Sequence, residues 1–281
     1  LTFQEYYTAR YVVDNALEGT LPKLLIHAHE DRWREVIVLA ASMFPNADAF
    51  FEVFLVRLEA MVKGDEKLVA FLGWVERKAA SVDVAYKPAA VRAFYAALDM
   101  DFVGLGNVSV LASARALARI LDPSIGSIFD PGIASATPTG IARIVAFDLD
   151  RAIELDLDLG FARGVAHVRG SLARSLNILL ARALDLTRDI GDDALHTELF
   201  ALEVPDMDTP IETWRAFAAQ LQSIMMEHRD MGYDWGFTNE QAQILEDYFE
   251  ATRFLVECLD VAYVTDREAI EGRLVVPPGE G

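Results

Sequence analysis

Apolar residues recur at helical spacing through most of the chain. Over residues 3–17, Tyr6, Tyr7, Tyr11, Val13 and Leu17 fall near one helical face. Asp31 stands as an N-cap before Trp33, Val36, Ile37 and Ala40, and Pro45 suits the first turn of the helix that follows. Asp65 caps a segment with Leu68, Phe71, Leu72 and Val75 inward. Lys87-Pro88 then opens a run whose face is Val91, Phe94, Tyr95 and Leu98.

The middle of the chain has another texture. Gly104, Gly106, Pro123, Gly126, Pro131, Gly132 and Pro138 bracket a helix at about 107–121 and a loop after it. A Leu-Ala-Arg pattern then recurs at Leu117, Leu172 and Leu180, within a repetitive tract of about 107–189. Residues 153–159 alternate strictly, which is a strand signal. Their Ala-, Leu- and Arg-rich flanks favour a helix, and helix is the expectation, with short strand character as the alternative. Thr209-Pro210 starts a helix to His228, and Gly232–Gly236 breaks it. Thr238 with Gln241 forms a capping box before a stripe of Leu245, Tyr248, Phe249, Thr252, Leu255, Val256 and Leu259. Thr265 with Glu268 suggests a second capping box. The pattern predicts an all-α fold of stacked helix pairs or a helical superhelix.

Composition narrows the function. The chain has 281 residues, 53% of them hydrophobic, enough for a substantial core. A net charge of −19 disfavours nucleic acid and anionic membranes as partners. The single cysteine, Cys258, excludes an intrachain disulfide or a cysteine-cluster zinc site and fits a cytoplasmic setting. No apolar run is long enough to span a membrane. The chain opens in mid-pattern without a methionine, as a piece of something longer would.

No catalytic constellation emerges. There is no Gly-Lys dipeptide for a phosphate loop, and Gly104-Leu105-Gly106 lacks the third glycine and the preceding strand. His27 and His29 point to different helix faces, without a third metal ligand at matching spacing. His228-Arg229-Asp230 copies the letters of a kinase catalytic loop, but the expected asparagine is Trp235. The acidic run at 148–158 reads as a solvated face. The expectation is a fragment with no enzyme activity, no cofactor and no metal.

Three stretches in order carry a resemblance. Leu1-Thr2-Phe3-Gln4-Glu5-Tyr6 with Ala9-Arg10 resembles the signature that closes the ATPase module of NACHT-type STAND proteins, bacterial relatives of NOD-like receptors. Trp33-Arg34-Glu35-Val36 is similar to their next signature. Tyr86-Lys87-Pro88, with Arg92, Phe94 and Tyr95, resembles the start of the C-terminal helical domain of NACHT conflict systems. The ending, with Trp214, Met226 to Trp235, Tyr248 and Tyr263-Val264-Thr265-Asp266, is similar to that family's terminal helices.

The resemblance implies a helical arm at 1–80 following the ATPase module and a C-terminal helical domain at 81–281. The whole protein would be a cytoplasmic switch used in bacterial defence or signal transduction. ATP or GTP and magnesium would bind upstream of this chain, and a trigger protein would drive oligomerisation. Partners would be the upstream NACHT module and that trigger. The chain itself would be a non-enzymatic sensor or regulatory region. The alternatives are an interaction scaffold and, behind it, a metal-dependent effector enzyme.

Phe3, Glu5, Tyr6, Trp33, Arg34, Glu35, Lys87, Pro88, Arg92 and Tyr95 are signature residues with mainly structural roles. Phe3 and Tyr6 are expected to anchor the first helix, although a surface left for the ATPase module is a competing expectation. Lys87 and Arg92 are expected on a solvated face, or else against an acidic partner. His228, Arg229, Tyr233, Asp234 and Trp235, aromatic and charged at a helix break, are the candidate recognition surface or hinge. A packed turn around Trp235 is the structural reading of the same residues.

Overall fold

The computed structural model describes residues 2–28, 30–82, 84–102, 108–125, 176–189, 191–203, 205 and 209–279. Within them the secondary structure is helical, with no strand. The alternating stretch at 153–159, the acidic run and most of the repetitive tract lie outside the described residues. So do Gly104, Gly106 and His29.

Helix α1 (Phe3–Asp14) starts at a reciprocal capping box, in which Thr2 accepts from the Glu5 amide and Glu5 accepts from the Thr2 amide. Its inward positions are Ala9 and Val12, which pack toward α3 (Arg34–Met43). Phe3 is 83% exposed, Tyr7 64% and Tyr11 62%, so the aromatic stripe that suggested a buried face points to solvent. Phe3 is therefore no core anchor. Small residues on the opposite side allow the close approach to α3 instead. Helix α2 (Thr20–Leu25) buries Leu21, Leu24 and Leu25 beside α4 (Asp48–Val62), whose Phe50, Phe51, Phe54, Leu55 and Leu58 form an aromatic-rich seam. Each fully buried phenylalanine there contributes roughly 1.5–3 kcal/mol relative to exposure.

Helix α5 (Glu66–Ala80) is capped by Asp65, whose carboxylate accepts from the Lys67 and Leu68 amides. Phe71, Leu72, Trp74 and Val75 face inward. Helix α6 (Pro88–Phe102) is buried on every side from Ala89 to Asp99, because α5, α7 (Val108–Leu121) and the C-terminal helix all pack on it. Alanines at 89, 90, 93, 96 and 97 let those neighbours approach closely.

Helices α8 (Leu176–Asp189), α9 (Asp193–Phe200) and α10 (Ile211–Arg229) pack in succession. The long α11 (Asn239–Val261) begins at the expected Thr238–Gln241 capping box and buries its stripe, Cys258 included, against α3, α4 and α7. These contacts join residues on both sides of position 80. Arg34 pairs with Glu257 and lies over the Phe254 ring at 4.5 Å, fastening α3 to α11.

The last helix, α12 (Arg267–Gly272), is capped by Asp266 rather than Thr265. Thr265 instead donates its hydroxyl to Asp48 at 2.6 Å, on the first turn of α4. The end of α12 and the chain just after it are held by two residues expected on a solvated face. Arg92 is buried and donates to the carbonyls of Leu274 and Gly272 at 2.9 and 2.7 Å, and Lys87 meets the buried Glu271 carboxylate at 2.8 Å. Arg92 reaches Gly272, 180 residues downstream, and Lys87 reaches Glu271, 184 residues downstream, partners that local spacing does not reveal.

Candidate functional site: a buried carboxylate beneath the α10–α11 connection

The connection from α10 to α11 carries no regular secondary structure from Met231 to Thr238. It departs from α10 through Asp230, which takes the left-handed conformation (φ 47°, ψ 50°), and Gly232 follows at φ 91°. Asp tolerates that region better than most residues. Gly232 needs it outright, since a side chain at φ 91° would be strained.

The turn lies over Asp99 of α6, which is fully buried. Asp99 Oδ1 accepts the Gly232 amide at 2.6 Å, and Oδ2 accepts the Trp235 indole N–H at 2.5 Å. A carboxylate inside the core thus receives donors from both ends of the Gly232–Trp235 segment. Burial outweighs these donors, and the nearby Asp230 charge adds to it, so the Asp99 pKa is pushed up to about 7. Trp74 of α5 donates to the Asp230 carbonyl at 2.8 Å, and Gln222 of α10 donates to the Gly232 carbonyl at 2.6 Å. The Asp230 and Gly232 carbonyls and the Gly232 amide of this turn are thus each held by a side chain from another element or from α10.

Aromatic rings complete the fastening. Trp235 meets Phe71 edge-on at 5.3 Å, Trp74 at 6.0 Å and Phe237 in a parallel stack at 6.2 Å. Tyr233 meets Trp74 at 6.2 Å. Farther along, Lys67 donates to the Gly236 carbonyl at 2.9 Å. Gln241 donates to Asp65 at 2.8 Å and holds that carboxyl below its ordinary range. The N-terminal caps of α5 and α11 are therefore cross-linked.

The sequence-named residues fall as follows. Trp235 is half-buried in the ring cluster, and Tyr233 is half-buried with its hydroxyl donating to Asp230 at 2.5 Å; that bond pushes the phenol up to about 12. Asp234 is exposed and its carboxylate accepts the Gly236 amide at 3.0 Å. Arg229 is half-buried. His228 faces Glu198 of α9 at 3.1 Å, away from Trp235's partners.

Of the signature residues, Tyr95 is fully buried beneath the Lys78 ammonium at 5.0 Å. Trp33 stacks on His27 at 4.8 Å, while Glu35 and Pro88 are exposed. Asp99 was not singled out from sequence. Its one local signal is position: it stands four residues after Tyr95, on the inward register of a largely apolar helix.

Two other features stand apart. An apolar groove of about 400 Å³ lies between α2 and α4, lined by Leu25, Ile26, Val53, Val56 and Ala60 among others. Glu198, Glu227 and His228 bring one ligand atom each to within 4.8 Å of one another, the one such group of three among the described residues.

Over the described residues these features define an all-helical protein whose C-terminal helices are keyed into the preceding ones by a buried carboxylate and an aromatic cluster. Residues 202–277, from just after α9 to beyond α12, match the family model described as NACHT C-terminal Helical domain 2, and this part of the chain is a NACHT-type C-terminal helical region. The matched part contributes Gly232, Trp235 and Phe237 to the site; Asp99, Phe71 and Trp74 come from outside it. No curated protein and no solved structure matches the chain. No described helix is long and apolar enough to cross a membrane.

Proposed function

We propose that this chain is a non-enzymatic regulatory arm of a NACHT-type STAND NTPase switch, acting in bacterial signal transduction or defence, and that α1 is where it docks on the NACHT module. The family match supports the class. The exposed aromatic row on α1 carries the docking. Phe3, Tyr7 and Tyr11 recur every four residues, Phe3 stacks on Tyr7 at 6.5 Å, and Tyr6 adds its edge at 5.5 Å. Covering these four rings removes on the order of 500 Å² of apolar surface from water. That is at the upper end of what a free monomer exposes in one patch. Nucleotide and magnesium belong to the NACHT module in this reading. The arm, rigid through its Asp99 fastening, reports the state of that module to a trigger or to neighbouring copies in the cytoplasm.

Biolayer interferometry between this chain and a separately produced NACHT module tests the docking. Saturable binding that weakens at least tenfold in Phe3→Ser/Tyr7→Ser is expected. Binding indifferent to that double change removes α1 from the interface. The groove between α2 and α4 favours a second reading, an interaction scaffold that takes an apolar helix; Val56→Asp abolishing partner binding while the α1 variant binds normally would establish that reading instead.

A further inference from the structure

We propose that Glu198, Glu227 and His228 form a binding site for a divalent transition-metal ion of the zinc class, which clips the end of α9 to the end of α10. The site stands independently of the NACHT reading.

Three observations carry it. The ligand atoms are already gathered: one imidazole nitrogen and two carboxylate oxygens lie within 4.8 Å of one another, with His228 Nε2 3.1 Å from Glu198 Oε1. His228 Nε2 is shut off from solvent and makes no hydrogen bond, although the Glu198 carboxylate lies at ion-pair distance from it. A metal on the imidazole lone pair would satisfy that nitrogen. The third observation is electrostatic. Glu198 lies in the last turn of α9 and Glu227 and His228 in the last turn of α10, where the negative end of a helix dipole favours a cation. The net charge of −19 adds to that preference for a cation.

The donor set selects the ion. One nitrogen and two oxygens suit Zn²⁺ and its neighbours, whereas Mg²⁺ and Ca²⁺ prefer all-oxygen shells. Metal–ligand bonds of about 2.0–2.2 Å in a tetrahedron put ligand atoms roughly 3.4 Å apart. The His228–Glu198 pair is already that close. Glu198 and Glu227 are exposed, so rotation of their side chains closes the remaining gap without moving a helix. Water takes the fourth position. The ion would stiffen the last turn of α10, two residues before the Asp230 bend that leads onto Asp99.

The test uses the 281-residue chain, stripped with chelator and titrated with Zn²⁺ by calorimetry. Metal content after dialysis is counted by mass spectrometry. One ion per chain with a dissociation constant of about 10 μM or tighter is expected. His228→Gln and Glu198→Gln should each weaken binding at least tenfold. His27→Gln, at the separate His27–Glu30 contact, should leave it unchanged. Circular dichroism confirms that each variant is folded, and Zn²⁺ should raise the melting temperature of wild type but not of His228→Gln. No stoichiometric ion at 100 μM Zn²⁺, undiminished affinity in folded His228→Gln, or stronger binding of Mg²⁺ than of Zn²⁺ would each overturn the proposal.

Discussion

Replacing Asp99 with asparagine separates the two forces acting on that buried group. Burial raises its pKa from an ordinary 3.8 to about 7, while the Gly232 amide and the Trp235 indole favour the charged form. Between those values the unfolded chain is ionised at this position and the folded chain keeps its proton. The unfolded state then binds fewer protons, so stability falls as pH rises. At about 1.4 kcal/mol per pKa unit, the loss between pH 4 and pH 7 is on the order of 4 kcal/mol from this one carboxyl.

Asparagine has no such titration, but its amide group points N–H bonds at one of the two cradle donors, a mismatch of about 1–3 kcal/mol. Urea unfolding of wild type and Asp99→Asn, followed by tryptophan fluorescence from pH 4.5 to 8, gives the difference directly. The remaining carboxylates titrate in both proteins and cancel. The variant should be clearly less stable than wild type at pH 4.5 and close to it, or more stable, at pH 7.5. A difference that is constant with pH, or one that grows in favour of wild type as pH rises, would show that the donors outweigh burial.

Other expectations follow from the same geometry. Trp235→Phe keeps the ring contacts but removes the indole N–H, and should cost about 1–3 kcal/mol in urea unfolding; Asp99→Asn should make most of that cost vanish in a double-mutant cycle. Arg92→Leu strands the Leu274 and Gly272 carbonyls and should cost about 2–4 kcal/mol. Its hydrogen exchange should speed up first in α12 and the residues after it. Phe254→Ala removes a ring between α11 and α4 and should cost about 3–5 kcal/mol by the same unfolding assay. Phe3→Ser, by contrast, should change stability by less than about 0.5 kcal/mol.

Helix existence was legible because apolar periodicity is a local property. Asp65, Thr238 and the α11 stripe act where the pattern places them. What failed to show was direction. Tyr6, Tyr7 and Tyr11 have helical spacing, yet the side of α1 that packs carries Ala9 and Val12; hydrophobicity alone reads the larger side chains as the inner face. Thr265 makes a good cap in isolation, but Asp48, distant in sequence, draws its hydroxyl away and leaves the capping to Asp266.

The candidate site was half visible. Gly232, Tyr233 and Trp235 are conspicuous at a helix break, whereas Asp99 is one acid among the 44 Asp and Glu of the chain. Only the tertiary packing of α6 distinguishes it. Lys87 and Arg92 illustrate the same limit, since their acceptors lie at the far end of the chain.

Hydrogen exchange of this chain with and without a NACHT module tests the docking account most directly. The account predicts slowed exchange concentrated in α1, with the α10–α11 connection already slow in the free chain because its amides are held on Asp99. Unchanged α1 amides beside protection on another surface would contradict it.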